Sequence, residues 1–266
     1  MSLQVSVLAS GSSGNSIYIT SGDRSILIDA GLSGKKIVER LNKCGVNNPE
    51  LDAILMTHEH KDHTKGVGVL SRRFKVPIYA NELTWTAAAE DLGKIKSEHQ
   101  CLFDGDFMIG DLGILPFSIS HDAKDPVGYI IKYKNKSIGI ATDMGCIPER
   151  VKKKLIGLDF LILEANHDLE MLQTGPYPAF LKKRIRSDKG HLSNDDTADL
   201  LPQLVKDNFP CILLAHLSKD NNIPKVAHIT IKNNLEEAGL KLGKDLKMDF
   251  AYRDKPTQLY DVKKSG

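Results

Sequence analysis

Apolar runs a few residues long recur along the whole chain, most of them closed by glycine, aspartate or histidine. Residues 4–9, 16–20, 25–29, 53–56 and 77–80 read as strands in the first part of the chain. A later group reads the same way at 114–120, 127–133, 137–142, 159–164 and 211–215, with 248–252 and 258–262 closing the chain. Between them lie helical patterns. Ser33 caps one that carries Ile37, Val38 and Leu41 on one face and stops at Cys44-Gly45. Others cover residues 67–74, 82–92, 178–186, 193–205 and 225–238, and Pro148 suits the first turn of one running to Leu155. Ser193 and Asp196 have the spacing of a capping box. Lys134-Asn135-Lys136 joins two strands as a hairpin, so the sheets are expected to be mixed, with helices packed outside. No linker or low-complexity stretch interrupts this order, which predicts one α/β domain over residues 1–266.

Composition narrows the class. The chain has 266 residues, 41% hydrophobic and 26% charged, enough to bury a core without staples. A net charge of +2 gives no global field for nucleic acid or membrane, so any basic patch must be local. Cys44, Cys101, Cys146 and Cys211 are scattered without a Cys-x-x-Cys pair, against a disulfide framework and in keeping with a reducing cytoplasm. Neither a signal peptide nor a membrane-spanning run is evident, and the tail from Lys263 to Gly266 is expected to fray.

The chemistry concentrates where strands stop. The run ending at Met56 empties into Thr57-His58-Glu59-His60-Lys61-Asp62-His63, three histidines and an aspartate within six residues. Imidazole and carboxylate at that density suit a divalent metal. Asp29, His121, Asp143 and His216 likewise follow apolar runs, and strand ends at one sheet edge stack side by side. Each alone is more often a hydrogen-bonded structural group; together they point to one centre. The loop Ser10-Gly11-Ser12-Ser13-Gly14-Asn15-Ser16 could cradle phosphate, but it lacks the Lys-Ser/Thr of a P-loop and precedes a strand, so a structural turn is the better reading.

His58-x-His60-x-Asp62-His63, His121, Asp143 in Thr-Asp-Met-Gly and His216 in Ala-His-Leu-Ser resemble the ordered motifs of the metallo-β-lactamase superfamily over nearly the whole chain. The serine-glycine loop, His121-Asp122-Ala123, Glu164-Ala165-Asn166-His167-Asp168 and Gly190-His191-Leu192-Ser193 resemble its YycJ/WalJ (VicX) branch, which is linked to 5′→3′ exonuclease action on DNA. The resemblance implies a four-layer αββα sandwich with two mixed sheets. It also implies two divalent ions, Zn or Mn foremost and Fe or Ni also accommodated. His58, His60 and His121 would hold one ion and Asp62, His63 and His216 the other, with Asp143 bridging. A bridging hydroxide would be the nucleophile and His191 the proton donor, with Asp62 also in the catalytic group. Asp29 and Glu164 are expected just behind the ligands, and His167 either there, against substrate, or in a structural role.

The basic run Lys182, Lys183, Arg184, Arg186 and Lys189 leads to His191, and is either a solvated helix face or a set of phosphate contacts. Tyr177 and Phe180 could stack on a base, though Phe180 serves equally well as a core residue. Nucleic acid, DNA before RNA, is therefore the expected substrate, and no membrane partner is expected. Hydrolysis of a thioester or lactone, as in glyoxalase-like relatives with the same bridging aspartate, is the competing reading. The 72 residues between Asp143 and His216 leave no room for a large inserted nuclease domain.

Overall fold

The computed structural model describes residues 2–47, 49–205 and 210–264; the end of the tail, residues 265–266, lies outside them. In chain order the first strands are β1 (Gln4–Ala9), β2 (Ser16–Thr20), β3 (Ser25–Ile28), β4 (Ala53–Leu55), β5 (Ile78–Ala80) and β6 (Gln100–Leu102). Then follow β7 (Phe107–Ile109), β8 (Leu112–Ser118), β9 (Val127–Tyr133), β10 (Lys136–Ala141), β11 (Phe160–Glu164), β12 (Cys211–Ala215), β13 (Lys247–Phe250) and β14 (Tyr260–Asp261). They form two seven-stranded sheets, ordered β14-β1-β2-β3-β4-β5-β6 and β13-β12-β11-β10-β9-β8-β7. Both are mixed: β3 to β6 and β10 to β13 pair in parallel, while β1 to β3 and β7 to β10 are antiparallel.

Three apolar layers follow from strand alternation. Ile26, Ile28 and Leu55 of the first sheet face Tyr129, Ile138, Ile140 and Ile162 of the second. The intervening Leu27 and Ile54 point the other way, onto helices α1 (Gly34–Lys43) and, after the short α2 (Lys61–Thr64), α3 (Val67–Phe74) and α4 (Glu82–Leu92). Behind the second sheet, Leu161, Leu163, Ile212 and Leu214 meet α5 (Glu149–Leu155) and, past α6 (Leu169–Thr174) and α7 (Ala179–Ile185), helices α8 (Asn194–Leu204) and α9 (Pro224–Glu237). The layers run helix, sheet, sheet, helix. Each fully buried Leu or Ile side chain contributes about 1.5–3 kcal/mol, which is why strands buried on both faces read as unbroken apolar runs.

Several boundaries differ from those expected. The strands leading to Asp29 and Asp143 stop at Ile28 and Ala141, because both acids leave the ladder in a left-handed conformation. β8 ends at Ser118, so His121 stands three residues beyond its strand instead of at its tip. Pro148 is the residue before α5 and not part of its first turn. Helices α2 and α6 and strands β6 and β7 went unpredicted, being too short to carry a periodic pattern. The hairpin around Lys134 is present, with Lys134 itself at φ 53°, and Ser193 and Asp196 form the expected capping box.

Candidate metal centre

Parallel strands β3, β4, β10, β11 and β12 end at a shared edge of the two sheets, and the acids and histidines sit there. Asp29, Asp143 and His216 have φ of 58°, 59° and 57°. Among the described residues only Lys75 and Lys134 share that left-handed region without being glycine. It is sparsely populated by residues with a side chain, and is kept where surrounding structure holds it. Here it turns the chain off the strand and leaves three ionisable side chains buried at the edge.

The histidine loop is fixed from behind by Asp29. Its Oδ1 accepts from the Thr57 amide at 2.9 Å, and its Oδ2 accepts from the Thr57 hydroxyl at 2.7 Å and from His63 Nδ1 at 2.8 Å. With its hydroxyl proton committed to Asp29, Thr57 accepts from His58 Nδ1 at 3.0 Å. His121 Nδ1 donates to the Gly190 carbonyl at 3.2 Å. Each contact occupies Nδ1 and leaves Nε2 as the inward lone pair of a neutral ring. His58 Nε2 lies 3.1 Å from His60 Nδ1, so these two nitrogens share one space. Burial and the neighbouring His63 ring hold the His58 pKa well below the ordinary histidine value, which keeps it a ligand and not a cation.

Burial opposes charge on His63, yet Asp29 and Asp143 outweigh it and push its pKa up to about 10. The Asn15 amide nitrogen lies 2.9 Å from His63 Nε2, and Asn15 Oδ1 is already taken by the Gly11 amide at 2.8 Å. An N–H cannot face another N–H, so the Asn15 contact selects the ring with its Nε2 lone pair free. The backbone here is packed without slack. Asn15 N donates to the Asp62 carbonyl and Ala30 N to that of His63, both at 2.8 Å, and a Cβ on Gly31 would lie 1.6 Å from the Asp62 carbonyl oxygen.

On the other side the corresponding carboxylate is Glu164, at the end of β11 and fully buried. Its Oε1 accepts from His191 Nδ1 at 2.7 Å and from His216 Nδ1 at 3.0 Å, while Oε2 accepts from the Met144 amide at 2.7 Å. One carboxylate thus orients two imidazoles and the residue after Asp143. Burial lowers the His191 pKa, but Glu164 more than compensates and raises it to about 9. Burial raises the Asp143 carboxyl, yet the rings of His216, His63, His58 and His121 hold it well below the usual carboxylate range.

Asp143 stands between the two halves. Its Oδ2 is 3.5 Å from His63 Nε2 and its Oδ1 3.4 Å from His216 Nε2. Ligand atoms of His58, His60 and His121 lie within 4.8 Å of one another, as do those of His58, His63 and Asp143, and those of Asp62, His63 and His216. Asp143 Oδ2 and His216 Nε2 are buried with no hydrogen-bond partner. An orphaned carboxylate oxygen beside an orphaned imidazole lone pair is costly unless a cation satisfies both, so these residues fit divalent metal.

The structure therefore brings His58, His60, Asp62, His63, His121, Asp143 and His216 to one edge, with Asp29 and Glu164 directly behind. His167, expected beside them, against substrate or in a structural role, is not part of the cluster. Its ring is buried with Nδ1 unpartnered, in a neighbouring groove shared with Cys146 and Asp195, and burial lowers its pKa to about 4. The basic run divides. Arg184 lines the cleft and its guanidinium pairs with Asp122 at 2.5 and 2.6 Å. Lys182 Nζ donates to the Gln173 carbonyl, Arg186 to the Gln173 side chain, and Lys183 and Lys189 are exposed. Phe180 is exposed, so its core reading is corrected. Sequence reasoning missed Asn15, Thr57 and Asp122, whose residue types are ordinary in loops and acquire their role only from contacts.

The cleft over this centre has a volume of about 290 Å³ and is bounded by Ser12, Asp62, Asp122, Tyr177, Arg184, His191 and Ser218 among others. An αββα sandwich with clustered histidines and aspartates at the common sheet edge defines the class of a metal-dependent hydrolase. The family model described as a beta-lactamase superfamily domain matches residues 24–209, and the chain belongs to the metallo-β-lactamase superfamily and, within it, to the YycJ/WalJ branch. Exodeoxyribonuclease YycJ of Bacillus anthracis is 39% identical over 264 residues, covering 98% of this chain and 100% of the relative. Exodeoxyribonuclease WalJ of Streptococcus pneumoniae is 43% identical over 261 residues, covering 97% of each. The crystal structure of the metallo-beta-lactamase fold protein YhfI from Bacillus subtilis has the same fold, with a TM-score of 0.69 at 14% identity over 97% of this chain and 99% of that one. Among the described residues no helix is long and apolar enough to cross a membrane.

Proposed function

We propose that this protein is a dinuclear metal-dependent phosphodiesterase acting as a 5′→3′ exonuclease on DNA. His58 Nε2, His60 Nδ1 and His121 Nε2 would hold one ion, and Asp62, His63 and His216 the other, with Asp143 between them. Zn or Mn is the expected metal, since these nitrogen and oxygen ligands suit either. Two such ions, when bound, supply an activated water near neutral pH and take up charge on phosphoryl oxygens.

The observation that carries the reading is the pairing of His191 with Glu164 at the lip of the metal cluster. His191 Nδ1 is committed to Glu164 at 2.7 Å, which leaves Nε2 as the donor, and the ring is 20% exposed at the cleft beside the buried Asp143 and Glu164. A raised pKa keeps His191 protonated at neutral pH, ready to give its proton to the leaving oxygen. Arg184, whose Nε and Nη2 are held by Asp122 Oδ2, keeps Nη1 to donate to a phosphate. The close relationship to two exodeoxyribonucleases over nearly the whole chain supports DNA as substrate. A cytoplasmic location suits the four free cysteines.

The test is digestion of end-labelled single- and double-stranded DNA and RNA after chelation and return of Mn or Zn. Release of nucleotides from the 5′ end of DNA is expected. Release from the 3′ end only, or no cleavage with any metal, would overturn the reading. His191→Ala should keep its metal and lose about 10²–10⁴-fold in kcat.

A further inference from the structure

Helix α7 holds out the most exposed large apolar side chain among the described residues: Phe180 is 75% exposed. Single exposed hydrophobics are ordinary, so exposure alone decides nothing. The neighbours do. At 3.6 residues per turn, Phe180 and Arg184 are i, i+4 neighbours on one side of the helix, and Lys183 follows at i+3. Arg184, Leu181 and Tyr177 line the metal cleft, and Asp122 fixes the Arg184 guanidinium at its rim. The phenyl ring is therefore the next side chain met by a strand leaving the cleft over Arg184. Cations flank it on the same helix, Lys183 and Arg184 foremost. The adjoining hollow, about 510 Å³, is bounded by Gln173, Ala179, Lys182, Lys183, Arg186 and Ser187. An exposed aromatic ring flanked by Lys183 and Arg184 suits a polyanion with stackable faces better than the apolar surface of a protein partner.

Resting on the nuclease reading above, we propose that Phe180 is a nucleobase platform. It stacks on a base of single-stranded substrate just outside the cleft, while Arg184 and Lys183 contact the phosphates on either side of that base. Stacking of this kind tolerates any base, because every base has a π-face. It aligns the strand for the cleft and takes no part in the bond that breaks.

The experiment compares the Mn-loaded wild type with Phe180→Ala and Phe180→Trp. The substrates are a 5′-labelled single-stranded oligodeoxynucleotide, the same strand made abasic near its 5′ end, and a p-nitrophenyl phosphodiester too small to leave the cleft. Phe180→Ala should raise KM for the normal strand by about five- to tenfold, with kcat and the small-diester rate unchanged. Phe180→Trp should restore KM, and on the abasic strand the variants should be indistinguishable. An unchanged KM in Phe180→Ala, or an equal rise on the abasic strand, would overturn the platform. An unchanged KM with altered sedimentation would also overturn it, assigning the ring to a protein interface. If the wild type hydrolyses the diester but leaves DNA intact with every metal, the nuclease reading itself fails and the platform falls with it.

Discussion

Two buried carboxylates back the metal cluster, one from each sheet, and they do different amounts. Asp29 at the end of β3 holds Thr57 and, among the histidines, His63 alone. Glu164 at the end of β11 holds His216, whose Nε2 faces the cluster, and His191, which faces the cleft. The first sheet's half is local, with four proposed ligands in six residues, and needs only one anchor. The second sheet's half is assembled from Asp143, His191 and His216, and one longer side chain registers the parts. A carboxylate that serves one imidazole tunes metal binding. One that serves two would, if His191 is the proton donor proposed above, couple metal binding to proton transfer.

Asp143 belongs to both halves, because its oxygens face His63 on one side and His216 on the other. Asp143→Ala should lose more than the about 100-fold in metal affinity typical of an outer partner, with elemental analysis finding little bound metal and DNA cleavage at background. Full retention of both would mean that the halves share no ligand. Glu164→Gln and Asp29→Asn should each cost about 10–100-fold in metal affinity, and saturating metal separates them. Activity should return in Asp29→Asn, whereas Glu164→Gln should stay low in kcat because His191 has lost its acceptor anion. Equal recovery would remove the distinction.

A pH profile sharpens the same point. His191 has a folded pKa raised to about 9, so a rate that needs its protonated form is full below that value and falls as pH rises through it. Removing the Glu164 charge lowers the His191 pKa, so the alkaline limb of kcat in Glu164→Gln should move to lower pH. A limb that does not move would detach Glu164 from proton transfer. The smallest effect tests the packing between the serine-glycine loop and the histidine loop. Gly31→Ala forces a Cβ against the Asp62 carbonyl, which should cost about 1–3 kcal/mol by denaturant unfolding, with Asp62 losing its place before Glu164 does.

The histidine loop was legible because its ligands lie within one turn of chain and their spacing leaves few alternatives. Asp29 and Glu164 were legible as strand-end acids behind a metal, but Glu164 gave no sign of serving two rings, since His191 and His216 lie 27 and 52 residues away. His167 stayed open between the centre and a structural role for a related reason. It follows β11 at a spacing that suggested the centre, yet its backbone bridges to Ser193 and its ring turns into the neighbouring groove. Asn15, Thr57 and Asp122 stood inside motifs but gave no sign of their contacts, because a short polar side chain in a loop looks the same whether it holds a ligand or faces water.

Apolar periodicity determined the α/β class with helices outside mixed sheets, strand-end chemistry pointed to one metal centre, and the resemblance to the superfamily selected seven candidate ligands. Contacts between distant segments decided the rest. They set which nitrogen of each ring faces inward, since that depends on what occupies the other nitrogen. They brought Glu164 under two histidines, and they left Arg184 at the cleft and Phe180 in the open one turn apart on the same side of one helix. A side chain's type travels with the sequence, but its partner, its tautomer and its exposure exist only once the two sheets have closed on each other.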